Sequence, residues 1–255
     1  MATVNVNGLA MYYESRGEGE PLLLLHGGMG IGADWLHVFP SDPPGYRVIV
    51  PDLRGHGRST NPGGVFTFRR CARDVLALLD RLPVNRVKAI GMSMGAKTLL
   101  HVATAQPDRV DAMVLVSAAP YFPEPLRRAA LQFTRESFDR LPASERDALR
   151  RRHVGGDEQV RLLYDMTRAF ATSYDDLAFT APLLATITAR TLVVHGDRDP
   201  YYPVELALEL FRGIPQSALW IVPHGAHGPI FGPLAGPFAA AALAHLSGRP
   251  TQPQA

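Results

Sequence analysis

Six continuous apolar runs of strand length constrain the fold of this 255-residue chain more than any other feature. They are PLLLLHG (21–27), YRVIVPD (46–52), VKAIGM (87–92), DAMVLVSA (111–118), TLVVHGD (191–197) and ALWIVPHG (218–225). Such runs suit strands covered on both faces, as in a parallel sheet with crossover helices. Helical patterns at 68–82, 94–105, 204–212 and 230–246 fall between or after them. The sequence therefore predicts an α/β fold with a mostly parallel central sheet and helices on both faces, opened by a β-hairpin around Asn7 and Gly8.

The alternation of strand and helix patterns is interrupted between residues 119 and 187. This segment is rich in arginine, has helical patterns broken by prolines, and contains no run typical of a strand. We interpret it as a helical insertion. The predicted organisation is an α/β core of residues 1–118 and 188–255, with residues 119–187 as a helical cap or lid.

The composition of the chain argues against several classes of binding partner. Lysine and arginine number 26 against 24 aspartate and glutamate residues, so no strong field favours nucleic acid or an anionic membrane. The single cysteine, Cys71, excludes an internal disulfide and a cysteine-based metal cluster, and its helical spacing predicts a buried thiol. No leader or bilayer-spanning apolar stretch is recognisable, so a cytoplasmic location is expected. We expect a small-molecule substrate, no metal or cofactor, and a monomer or homodimer.

The sequence GMSMG at residues 91–95 places a serine where a strand pattern gives way to a helix pattern. Alone, this pentapeptide is a weak signal, because glycine and serine are common turn residues. Its position between a buried strand and a helix is the context that a nucleophile elbow requires. The tight turn needs small flanking residues, and Gly91 and Gly95 supply them. Ser93 is then expected to present its hydroxyl at the carboxyl edge of the sheet.

A serine hydroxyl needs a base to take its proton, and a histidine base needs a carboxylate to orient it. Both are expected after later strands, and two candidates exist for each. Asp197 and Asp199 follow one apolar run, and His224 and His227 follow the next. The residue types and their positions give little reason to prefer one aspartate or one histidine over the other.

These motifs jointly resemble the α/β-hydrolase family over residues 4–246. The matching segments are HGG (26–28), DLRGHGRS (52–59), GMSMG (91–95), HGDRDP (195–200) and PHGAHG (223–228), in the family's order of serine, acid and histidine. The resemblance implies that Asp199 is the acid and His227 the base, with Asp197 and His224 as the alternatives. It also implies an oxyanion hole formed by the backbone N–H groups of Gly28 and Met94.

The same resemblance implies acyl chemistry without a cofactor. Family members that open epoxides or remove halides are expected to carry aspartate where this chain has Ser93. The expected reaction is hydrolysis of a small ester, lactone or thioester through an acyl-enzyme on Ser93. His26 and His56 are expected to brace loops, and Trp35 is expected either to wall the acyl pocket or to pack in the core.

Two alternative functions stay open from the sequence. The triad could serve C–C bond hydrolysis, peracid formation, acyl transfer or an elimination, or the fold could act as a small-molecule receptor with little turnover. A complete triad favours an enzyme, because binding alone gives no reason to keep a strained turn. The cap also contributes Tyr121, Phe122, Phe133, Phe138, Met166, Phe170 and Phe179. Helical spacing explains most of them as packing of the cap against the core, and they predict a partly apolar pocket.

Overall fold

The computed structural model describes residues 1–248, which form one eight-stranded sheet with helices on both faces. The strands are β1 (Ala2–Val6), β2 (Leu9–Arg16), β3 (Glu20–Leu25), β4 (Tyr46–Pro51), β5 (Val87–Met92), β6 (Val110–Val116), β7 (Arg190–Gly196) and β8 (Ser217–Val222). Their order is β1-β2-β4-β3-β5-β6-β7-β8. Only β1-β2 and β2-β4 pair antiparallel among the described strands. The predicted fold class is confirmed; residues 249–255, at the end of the expected core segment, lie outside the described residues.

The six apolar runs form strands β3 to β8, and the hairpin turns where the sequence predicts. Asn7 and Gly8 both have positive φ, at 46° and 79°. A type I′ turn requires positive φ at two consecutive residues, and Asn-Gly adopts it with little strain.

The described helices follow the predicted patterns closely except at the last one. They are α1 (Phe68–Arg81), α2 (Met94–Ala105), α3 (Glu124–Ala130), α4 (Arg135–Asp139), α5 (Ala143–Arg152), α6 (Gly156–Ala169), α7 (Ala181–Leu184), α8 (Val204–Gly213) and α9 (Ala235–Leu246). The prediction that the last helix starts near residue 230 is wrong. Gly232, at a φ of 65°, and Pro233 form a short 3₁₀ turn there instead, so the α-helix begins at Ala235.

Two apolar layers cover the sheet, one on each face. Along β3, Leu23 and Leu25 pack into the layer that contains α1 and α2, whereas Leu22 and Leu24 pack into the layer that contains α9. This alternation is the period-two geometry of a strand covered on both sides. Trp35 is 4% exposed and belongs to the α9 layer, so core packing is the correct one of its two predicted roles.

Helices α3 to α7 lie between β6 and β7 in the chain, and two polar contacts tie this segment to the rest of the molecule. The Gly57 N–H donates to His153 Nδ1 at 3.0 Å. Burial lowers the pKa of His153 to about 4, which keeps this ring neutral and able to accept. The Asp176 carboxylate accepts the Phe68 N–H at 2.6 Å, where α1 begins. We propose residues 119–187 as the cap on this basis.

A buried ion pair joins α1 to the loop after β4. Arg54 Nε lies 2.7 Å from Asp74 Oδ2, and Arg54 Nη2 lies 2.9 Å from Asp74 Oδ1. The side chains are only 6% and 1% exposed. Removing the carboxylate charge would therefore leave a guanidinium buried beside a neutral group.

We expect Asp74→Asn to lower the free energy of unfolding by about 3 kcal/mol, because breaking a buried pair strands one charge. Asp80→Asn on the same helix is the matched control: Asp80 is 65% exposed and pairs with Arg109. Exposed pairs contribute about 0–1 kcal/mol. Urea unfolding of both variants and the wild type measures the difference, and equal losses would contradict the assignment.

Candidate active site

The turn between β5 and α2 holds Ser93 in an unusual backbone conformation. Its φ is 49° and its ψ is −103°, and Met94 is the first helical residue. The Ser93 N–H donates to the carbonyl of Val116 at 2.8 Å, which ties the turn to the end of β6. The predicted junction of strand, sharp turn and helix is therefore present.

Close backbone approach explains the glycine on each side of Ser93. A Cβ at Gly91 would lie 2.6 Å from the Gly95 carbonyl carbon, and one at Gly95 would lie 2.2 Å from the Leu25 oxygen. Neither position has room for a side chain. The Gly95 N–H also donates to the His26 carbonyl at 3.0 Å, so the turn fixes the loop after β3 as well.

Hydrogen bonds connect the serine, histidine and acid selected from the family resemblance. His227 Nε2 lies 2.8 Å from Ser93 Oγ, and His227 Nδ1 lies 2.7 Å from Asp199 Oδ2. With a proton on Nδ1 facing the carboxylate, Nε2 is free to accept the serine proton. The arrangement can activate Ser93 as a nucleophile.

The Asp199 side chain is fully buried and stays ionised. Burial acts to raise the pKa of Asp199, but the hydrogen bond and charge of His227 outweigh it, helped by the backbone N–H groups of Tyr201 and Tyr202. Those N–H groups donate to Oδ1 at 2.8 and 3.1 Å. The pKa therefore lies below its ordinary value, and the carboxylate is negative at neutral pH.

The alternatives Asp197 and His224 do not take part in this chain of hydrogen bonds. Both are exposed. Asp197 belongs to the turn after β7, where its N–H donates to the Val222 carbonyl at 3.2 Å. His224, with a φ of 58°, belongs to the turn after β8.

Ser117 holds the loop that carries the histidine, and sequence reasoning missed it. Its Oγ donates to the His227 carbonyl at 2.7 Å, and the residue is buried with a φ of 49°. The available signal was a polar residue at the end of the apolar run 111–118, at the same sheet edge as Ser93.

The predicted oxyanion donors, Gly28 and Met94, line the same cavity as Ser93. The loop that carries Gly28 is braced by His26, whose Nε2 accepts the Leu53 N–H at 2.9 Å. Burial lowers the pKa of His26, which favours the neutral ring that this contact needs. The oxyanion role of the two N–H groups stays a prediction.

A cavity of about 310 Å³ opens onto Ser93 and His227. Most of its walls are apolar, and α3, α6 and the residues that follow them supply one side, with Leu126, Ala129, Ala130, Phe133, Thr167 and Phe170. Of the seven cap residues selected from the sequence, Phe133 and Phe170 line the cavity. Four others are buried and Tyr121 is 41% exposed, which agrees with the prediction that most of them pack.

Lys97 and Tyr202 also line this cavity, and the sequence analysis did not select them. Lys97 is 3% exposed, and its Nζ donates to Tyr202 Oη at 2.6 Å. Burial lowers the pKa of Lys97 to about 7, against the opposing charge of Asp199. The Tyr202 ring lies 5.3 Å from the ring of His227. The signal for Lys97 was its position one helical turn after Ser93.

Two structural features are absent from residues 1–248. Within that range, no three His, Cys, Asp or Glu side chains form a cluster that could hold a metal ion. No helix in the same range combines the length and apolarity needed to cross a bilayer.

Cys71 is buried, and desolvation raises the pKa of its thiol to about 12.

Comparison with known proteins identifies the family. A family model for the alpha/beta hydrolase fold matches residues 20–232. The chain is 31% identical over 242 residues to a 2-hydroxy-6-oxo-6-(2'-aminophenyl)hexa-2,4-dienoic acid hydrolase of Metapseudomonas resinovorans, covering 88% of this chain and 83% of the relative.

Two solved structures extend this similarity. A serine hydrolase involved in carbazole degradation superposes with a TM-score of 0.77 at 28% identity, covering 97% of this chain and 98% of that one. Est816, described as an N-acyl homoserine lactone degrading enzyme, superposes with a TM-score of 0.72 at 26% identity, covering 95% and 98%. The chain belongs to the alpha/beta hydrolase family.

Proposed function

We propose that this protein is a serine hydrolase that cleaves a small-molecule ester, lactone or thioester. The observation that carries the proposal is the hydrogen-bonded chain from Ser93 through His227 to Asp199, which opens into a cavity large enough for a small organic substrate. Similarity to hydrolases along most of the chain supports the same conclusion.

Acylation begins when Ser93 Oγ attacks the substrate carbonyl while His227 Nε2 takes the serine proton. Asp199 keeps the imidazole in the required tautomer and stabilises the imidazolium that forms. The imidazolium then protonates the leaving group. The acyl group remains on Ser93.

The tetrahedral intermediate places negative charge on the former carbonyl oxygen. The N–H groups of Gly28 and Met94 are assigned to that oxygen, and the N-terminus of α2 adds its dipole. Loss of one such donor typically costs about 3 kcal/mol of transition-state stabilisation. Deacylation repeats the sequence with water as the nucleophile and His227 as the base.

C–C bond hydrolysis is the second candidate, and a specific observation favours it. The Metapseudomonas resinovorans relative, which shares 31% identity over 88% of this chain, is named for a dienoic acid that carries a ketone. Ser93, His227 and Asp199 would hold the same positions in either reaction, so the substrate decides between the two.

We expect Ser93→Ala to lower kcat/KM for p-nitrophenyl acetate by about a thousandfold or more, because the members of a triad act as a unit. His227→Ala and Asp199→Asn should also lose activity. His224→Ala and Asp197→Asn are matched controls, since these exposed residues lie outside the hydrogen-bonded chain. Equal rates for wild type and Ser93→Ala would refute the nucleophile, and would favour a receptor with little turnover.

A substrate panel separates the two candidate reactions. Purified protein is offered short-chain esters, lactones and thioesters together with 2-hydroxy-6-oxo-6-(2'-aminophenyl)hexa-2,4-dienoate, and products are identified by mass spectrometry. We expect the highest kcat/KM on an ester, lactone or thioester, because these substrates release an alcohol or thiol after attack by Ser93, whereas C–C cleavage must expel a carbon leaving group. Higher kcat/KM on the dienoate would establish the second candidate instead.

A further inference from the structure

We propose that Lys97 binds a carboxylate of the substrate and so makes the pocket selective for a small apolar substrate with one negative end. This inference rests on the proposed function, because it describes the same pocket. Its basis is a buried ammonium that faces the cavity without a carboxylate partner.

The helix directs Lys97 toward the reacting centre. Lys97 follows Ser93 by four residues on α2, and helical side chains tilt toward the N-terminus of their helix. The side chain therefore points back toward the turn that carries the nucleophile. Both residues line the cavity of about 310 Å³.

The hydrogen-bonding capacity of Lys97 is incompletely used. An ammonium has three donors, and the bond to Tyr202 Oη uses one. Nζ lies 4.6 Å from the Tyr202 ring centroid and 5.4 Å from that of Phe68, which stabilises a cation only in part. A buried charge is costly unless it is paired.

A second buried lysine, Lys88, differs from Lys97 because it is paired with a carboxylate. Lys88, on β5 and away from the cavity, is also buried, but its Nζ lies 2.5 Å from Glu20 Oε2. Within residues 1–248, no carboxylate forms a salt bridge with Lys97. The anion that completes the Lys97 environment is therefore expected to come with the substrate.

Asp199 is the nearby carboxylate whose charge acts on Lys97, but both of its oxygens already accept hydrogen bonds from other groups. Its Oδ2 bonds His227, and its Oδ1 accepts the N–H groups of Tyr201 and Tyr202. The Tyr202 hydroxyl accepts from Lys97, which leaves its own proton to donate. A carboxylate at this place would receive bonds from an ammonium and a phenol in surroundings that are otherwise largely apolar.

The ionisation of Lys97 adds a pH signature. Because burial lowers the pKa of Lys97 to about 7, this lysine loses its charge at mildly alkaline pH when no anion is bound beside it. The titratable and charged groups that face it are Tyr202 and Asp199, with His227 beyond the Tyr202 ring. Preference for a charged substrate should therefore fall as the pH rises through about 7.

The test compares two esters that differ in one charge, p-nitrophenyl hydrogen adipate and p-nitrophenyl methyl adipate. We expect wild type to prefer the charged ester in kcat/KM. Lys97→Met should reduce this preference about 10- to 100-fold, the usual range for a lost hydrogen bond to a charged group. The ratio cancels any general loss of activity. Lys88→Met is the matched control and should leave the ratio unchanged. An unchanged ratio in Lys97→Met would overturn the proposal.

A binding measurement separates this inference from the proposed function. Calorimetric titration of Ser93→Ala with monomethyl adipate and dimethyl adipate needs no turnover. We expect the monoacid to bind more tightly, and the added Lys97→Met substitution to abolish the difference. Equal binding of both compounds to Ser93→Ala would overturn the carboxylate site even if esters are hydrolysed. Tighter binding of the monoacid without hydrolysis of either ester would uphold the site and count against the proposed reaction.

Discussion

The left-handed turn at Ser93 is the constraint on which the rest of the site depends. A non-glycine residue in a sparsely populated backbone region costs on the order of 1–3 kcal/mol, and surrounding contacts must hold it there. The Ser93 N–H donates a hydrogen bond to the Val116 carbonyl at the end of β6, and the Gly95 N–H donates one to the His26 carbonyl in the loop after β3. Gly28 belongs to that loop and lines the same cavity as Ser93, so the strained turn and the expected oxyanion hole are parts of one local structure.

The sheet supplies the remaining groups because its parallel strands end at one edge. Ser93, Asp199 and His227 follow β5, β7 and β8, and Ser117 at the end of β6 fixes the loop of the histidine. The hydrogen bond to His227 and the backbone N–H groups of Tyr201 and Tyr202 compensate the buried charge of Asp199, so the acid stays ionised. Lys97, in contrast, forms no salt bridge among the described residues, and its hydrogen bond goes to the neutral Tyr202 hydroxyl, so we expect the substrate to bring the anion that pairs with it.

The sequence predicts strands β3 to β8 well because each of them contains a continuous apolar run of strand length, which is the pattern of a strand covered on both faces. It could not separate Asp199 from Asp197 or His227 from His224 on physical grounds, since each pair follows the same strand and only the path of the loop decides which side chain turns inward. The family resemblance made that choice. Lys97 was missed because a lysine within a helix pattern is usually solvated, and its burial depends on contact with Tyr202, more than a hundred residues away along the chain. The start of α9 was missed because the left-handed backbone at Gly232 interrupts an apolar pattern that would otherwise continue.

The placement of α3 to α7 has an evolutionary consequence. These helices connect β6 to β7, two neighbouring strands, and none of Ser93, Asp199 and His227 belongs to them. The helices and the segments between them nevertheless supply one wall of the cavity, through residues such as Ala129, Phe133 and Phe170. Mutation and selection can therefore remodel the shape of the pocket by changing this connection alone, while Ser93, Asp199 and His227 keep their positions on the sheet.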